Sequence, residues 1–137
     1  MERRNPDVDV ERFRALLNDE RTRLEQVRDS VLEEAVATES EGAAIVEISV
    51  VDQHPADIGT ETFEREKQAS ILDLAERQLQ DIDRAAGRLE KGDYGTCEAC
   101  GAVIPVERLE ARPAARFCLD DQQRAEDEAA FRAARSA

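Results

Sequence analysis

Apolar residues recur at alternating three- and four-residue spacing in two separate stretches of the chain. In the first they stand at Val10, Phe13, Leu17, Leu24, Val27 and Val31, interrupted by Glu20 at one seam position, with Leu16 and Leu32 widening the stripe. In the second the spacing runs unbroken through Leu72, Ala75, Leu79, Ile82, Ala86 and Leu89. A helix brings residues three and four apart onto one face, so each stretch predicts a helix with a narrow apolar seam of the coiled-coil kind. Two such helices in one short chain predict an antiparallel hairpin. Ala75 and Ala86 are small enough to let the partners approach closely.

Between the two stretches, residues 38–53 carry Ser40, Gly42 and the β-branched run Ile45-Val46-Glu47-Ile48-Ser49-Val50-Val51. Its alternation is weak and a lone strand has no partner, so it reads as an extended loop whose apolar side lies on the hairpin. The second helix is predicted to start at His54-Pro55-Ala56-Asp57, because proline suits the first helical position and an acid in the first turn complements the helix dipole. Lys91-Gly92-Asp93-Tyr94-Gly95-Thr96 ends that helix. Gln122 to Ala134, rich in alanine, arginine and glutamate, predicts a terminal helix. The expected organisation is mainly α. Residues 1–92 form an N-terminal segment and a long coiled-coil hairpin with its tip near 52–57, residues 93–121 a small head, and residues 122–137 a C-terminal helix.

Composition narrows the function classes. Of the 137 residues 37% are charged and only 4% aromatic, which suits helices packed along a seam better than a broad globular interior. The formal net charge is −13, and the nineteen basic residues alternate with acids rather than gathering on one face. That balance repels a phosphate backbone, which argues against direct nucleic-acid binding and favours partners with basic surfaces or channels. Three cysteines make no even disulfide set, no apolar leader opens the chain and no run is long enough to span a bilayer. A soluble monomer of a reducing cytoplasm is expected. No nucleophile and base pair, phosphate-cradling glycine loop or histidine cluster is present, so no enzyme is expected.

The candidate chemistry lies in Cys97-Glu98-Ala99-Cys100-Gly101 and Cys118-Leu119-Asp120-Asp121. A C-x-x-C-G turn presents two thiolates, and a second pair at this distance points to a tetrahedral zinc site with Asp121 in the fourth position. A carboxylate oxygen is a harder ligand than a thiolate and lowers zinc affinity. Asp120 competes with Asp121 for the role. The alternative is a metal-free head in which Cys97, Cys100 and Cys118 are small packed residues beside Ile104, Leu109 and Phe117. A redox pair is a third reading, and no alternation of strands and helices supports it.

The run Gly95-Thr96-Cys97-Glu98-Ala99-Cys100-Gly101, then Ile104-Pro105, Arg108-Leu109-Glu110-Ala111-Arg112-Pro113 and Phe117-Cys118, resembles the zinc-finger head of the TraR/DksA family. The resemblance spans roughly residues 10 to 125 and includes Asp52-Gln53-His54-Pro55-Ala56-Asp57 at the expected tip. It implies a transcriptional regulator that binds RNA polymerase without binding DNA, its coiled-coil arm entering the secondary channel so that acidic tip residues approach the active centre. It implies one zinc ion in the head. By resemblance Asp57 matches the second of the family's two tip aspartates, while His54 stands at the first, with Asp52 two residues upstream. Arg108, Glu110 and Arg112 are expected to tie the head to the base of the arm. A coiled-coil interaction scaffold with a structural head is the competing class.

Overall fold

The computed structural model describes the backbone of residues 5–48 and 55–136, and side chains outside 38–59. Four helices follow in order: α1 (Val10–Ile48), α2 (Pro55–Lys91), α3 (Val106–Ala111) and α4 (Leu119–Arg135). The fold is mainly α. Among the described residues the extended pairing is a single antiparallel bridge between Thr96 and Val103.

Helix α1 starts where the pattern places it, because Asp9 caps it: its Oδ1 accepts from the Arg12 amide at 3.2 Å and its carbonyl from Phe13. Helix α2 begins at Pro55, the predicted first helical position. It ends in a Schellman arrangement, with the Asp93 amide donating to Arg88 O and the Gly92 amide to Leu89 O. Gly92 supplies the positive φ of 88° that this turn requires.

The extended loop expected over residues 38–53 is corrected over its first part, since α1 continues through Gly42 and Ile45 to Ile48. An isolated strand leaves its backbone groups without partners, whereas continuing the helical ladder satisfies each of them at a propensity cost of only tenths of a kcal/mol per β-branched residue. The rest of that segment, residues 49–53, lies outside the described residues. Helix α4 also begins earlier than predicted, at Leu119 rather than Gln122, because Cys118 sits at its N-cap and its carbonyl accepts from Gln122.

The chain forms two compact units. One comprises residues 1–21 and 80–137. In it Arg14 pairs with Glu90 and Arg21 with Asp83, seven positions forward on α1 and seven back on α2, which is the register of an antiparallel pair. Phe13 and Leu17 of α1 are buried with Ile82, Ala85 and Leu89 of α2, and Tyr94, Ile104 and Leu109 continue that core. Each of the largest buried side chains contributes about 1.5–3 kcal/mol. The Tyr94 ring lies 5.5 Å from that of Phe13, and its hydroxyl donates to Pro113 O at 2.7 Å. The expectation that Glu110 ties head to helix is met by its 3.0 Å ion pair with Arg12. Arg108 instead donates to Phe117 O within the head.

The other unit, residues 22–79, holds the remaining lengths of both helices, with Leu24, Val31 and Ala75 buried. These are positions of the predicted seams. Val27, also predicted there, is 37% exposed.

Candidate metal centre

Residues 95–104 fold into a tight hairpin. The Ile104 amide donates to Gly95 O, the Cys97 amide to Ala102 O and the Gly101 amide to Cys97 O, with Gly101 at a φ of 76°. This turn places Cys97 and Cys100 side by side. The other pair comes from the start of α4, where Cys118 is the N-cap and Asp121 lies three residues on, so one helical turn brings both side chains to the same side. Asp121 lies within the cluster of candidate ligand atoms, and Asp120 is exposed.

The ligand atoms of Cys97, Cys100, Cys118 and Asp121 all lie within 4.8 Å of one another. Cys100 Sγ and Cys118 Sγ are 3.9 Å apart, and Asp121 Oδ2 lies 3.1 Å from Cys97 Sγ and 3.2 Å from Cys118 Sγ. A tetrahedral zinc ion with ordinary bond lengths sets sulfur to sulfur at about 3.8 Å and sulfur to oxygen at about 3.6 Å. These three separations lie within about half an ångström of that geometry, and the whole set is close enough together to close on one ion. Cys97 is buried while Cys100 is exposed, a split that a set of packed hydrophobic thiols would not require.

Without an ion the four groups share protons. Burial opposes ionisation of Cys97, but the amides of Cys100, Cys118 and Ala99 outweigh it and draw that thiol below its usual range. At Cys100 the Ala102 amide favours the thiolate, yet the Asp121 carboxylate and the neighbouring thiols dominate and push it up to about 12. Thiol donors from Cys100, Cys97 and Cys118 hold Asp121 below the ordinary carboxylate range. A bound dication reverses this ordering, because a coordinating thiol gives up its proton.

Asp52 and His54 lie outside the described residues, and Asp57 falls within α2 with its side chain outside them.

Residues with no signal in the periodicity surround the centre. Glu98, inside the C-x-x-C turn, accepts from Arg84 Nε at 2.7 Å and Nη2 at 2.8 Å and from Arg116 Nε at 3.1 Å, and Arg88 Nη1 lies 3.5 Å away. Burial raises the Glu98 carboxyl, but Arg84 and Arg116 outweigh it and hold it below the usual range. Asn5 is buried and donates to both Gly95 O and Ile104 O, at 3.0 and 2.9 Å, securing the base of the hairpin. The available hint was positional: Glu98 lies between two ligands, and Arg84 and Arg88 share a face of α2.

The family described as the prokaryotic dksA/traR C4-type zinc finger matches residues 92–127. An uncharacterized protein of Aquifex aeolicus is 32% identical over 113 residues, which cover 82% of this chain and 78% of that protein. The RNA polymerase-binding transcription factor DksA of Haemophilus influenzae is 35% identical over 72 residues, covering 53% of this chain and 50% of that protein. The solved structure of transcription factor DksA2 from Pseudomonas aeruginosa superposes with a TM-score of 0.68 at 28% identity, over 90% of this chain and 87% of that one. The chain spans 29% and 56% of the length of two further curated relatives, both from Bacillus subtilis. The C4-type match and the cluster of three cysteines and one aspartate together support zinc binding.

Proposed function

The chain belongs to the TraR/DksA family, and from that premise we propose that it is a transcriptional regulator that binds RNA polymerase through the secondary channel without binding DNA. The observation that carries the reading is the likeness to DksA2 over nine-tenths of the chain, because it includes the two long helices as well as the head. The Haemophilus relative is named as RNA polymerase-binding, which supports polymerase as the partner. A net charge of −13 supports a protein partner rather than a nucleic acid.

In this reading zinc held by Cys97, Cys100, Cys118 and Asp121 is structural, clamping the head so that the base of the helical pair is fixed. Four protein ligands would leave such an ion no open position for chemistry. The working end is the segment carrying Asp52, His54 and Asp57. A carboxylate there perturbs a metal-dependent active centre by its charge, with no bond made or broken by the regulator. The protein acts as a cytoplasmic monomer. Among the described residues no helix is long and apolar enough to cross a membrane.

The test is retention of bacterial core RNA polymerase on the immobilised chain, with a photo-crosslinker introduced at position 57. Retention with labelling of a subunit that lines the channel is expected, together with no shift of promoter DNA when polymerase is left out. Failure to retain polymerase would leave a coiled-coil interaction scaffold as the better reading.

A further inference from the structure

The two halves of the metal centre come from segments that are separate in the chain. Cys97 and Cys100 hang on the hairpin of residues 95–104, while Cys118 and Asp121 hang on the first turn of α4, with α3 intervening. Two contacts that use no ligand atom join these halves, and Glu98 makes both. Its amide donates to Arg116 O at 2.9 Å, and its carboxylate accepts from Arg116 Nε at 3.1 Å, two residues before Cys118.

The same carboxylate is anchored to α2. Arg84 reaches both of its oxygens in a two-bond fork. Arg88, 3.5 Å from Oε1, also donates to Asp93 O, Thr96 O and Thr96 Oγ1, the residue before the first ligand. The Glu98 side chain is only 14% exposed and its bond to Arg116 is partly buried, while the Arg84 fork lies at the surface.

We infer that Glu98 is the positioning residue of the metal site: it holds the two ligand pairs face to face before the ion arrives and thereby sets how tightly the ion is kept. The arginines it gathers serve the loaded state as well. Three guanidiniums against the Glu98 carboxylate and that of Asp93, which pairs with Arg88 at 3.8 Å, leave a surplus of one positive charge beside the centre. Three thiolates and a carboxylate around a dication would carry a surplus of two negative charges, so the clamp would offset part of the loaded site's charge.

The sign of the effect separates positioning from a simple field effect. Were Glu98 only a nearby anion, its removal would leave the arginines more positive and tighten an anionic metal site. As a positioning residue, its removal loosens the site. The experiment titrates the full chain with Co(II) and then competes it with a chromophoric chelator, comparing wild type with Glu98→Gln, Arg116→Ala and Arg84→Ala. Glu98→Gln is expected to weaken Co(II) binding about 10–100-fold and to change the ligand-field bands, while far-ultraviolet circular dichroism of the metal-free proteins stays the same. Arg116→Ala is expected to weaken binding comparably. Arg84→Ala weakens it less and adds little in the Glu98→Gln background, because the two act through one bond pair.

Equal or tighter binding by Glu98→Gln overturns the inference. Should that variant fail to fold, Arg116→Ala decides in its place, and unchanged Co(II) affinity there overturns it. A wild-type protein that takes up no Co(II) removes the metal site itself, a result distinguishable from either of these.

Discussion

Cys97 Sγ stands 3.1 Å from Asp121 Oδ2, and the same oxygen lies 3.2 Å from Cys118 Sγ. One carboxylate oxygen thus lies within reach of two of the three thiols, in a chain whose matching family is described as C4-type. Thiolate is the softer ligand and suits zinc better than carboxylate in a closed structural site. Asp121→Cys is therefore expected to tighten zinc about tenfold or more, and Asp121→Ala to weaken it by a similar factor. Competition with a chromophoric chelator measures both, and an Asp121→Cys protein no tighter than wild type would show that Asp121 is not a ligand.

Protein purified without chelator should carry about one zinc ion per chain, and Cys97→Ser should lose it, because Cys97 is the buried member of the set and three amides point at its sulfur. Elemental analysis that finds well under half an equivalent in the wild type would favour the metal-free head.

Tyr94 is the chain's single tyrosine, and burial raises its phenol above the ordinary range. A raised folded-state value means that the folded protein keeps its proton where the unfolded chain would release it. The resulting stability is fully present below about pH 10, the value of a free tyrosine, and is lost as pH climbs beyond it. Absorbance in the tyrosinate band should rise later than for a free tyrosine and together with loss of helical circular dichroism. Ionisation at the free value with the helices intact would contradict the buried placement.

Asn5→Ala should destabilise the unit that contains the head by about 1–3 kcal/mol, since it leaves the carbonyl of fully buried Ile104 without its donor. Gly95→Ala should be at least as harmful. Gly95 has a φ of +87°, and an added Cβ would come within 2.9 Å of Asn5 Nδ2. Urea unfolding followed by circular dichroism measures both, and a change of a few tenths of a kcal/mol would mean that the N-terminal segment is not seated on the hairpin.

Asp57→Asn should leave folding and polymerase retention nearly unchanged while reducing the effect on transcription, because it removes a charge and little volume. A run-off assay in which the variant matches wild type would count against a charge-based role for the tip.

The helices were legible because their information is local. Phe13, Leu17, Leu24 and Val31 announce a seam by spacing alone, and Pro55 marks the start of α2 by its missing donor and restricted φ. The far end of α1 was not legible. Residues 45–48 have a composition that suits an extended chain, and the ladder of a helix already formed carries them along. The spacing of the cysteines pointed to a metal cluster but left Asp120 and Asp121 both open as its fourth member, because the helix that orients them was expected to start only at Gln122. With Cys118 as the N-cap of α4, it is Asp121 whose carboxylate lies among the three thiols.

By itself the amino-acid order determined what depends on near neighbours: the seams, the start of each long helix, the two ligand turns and the family to which they are similar. Tertiary structure alone decided that Glu98 meets Arg84 and Arg116, fourteen and eighteen positions away, and that Asn5 reaches carbonyls ninety and ninety-nine positions on. The reason is physical. A periodic pattern expresses the geometry of one element, whereas a hydrogen bond between distant segments exists only after packing has brought both to the same place and excluded the water that would otherwise satisfy them.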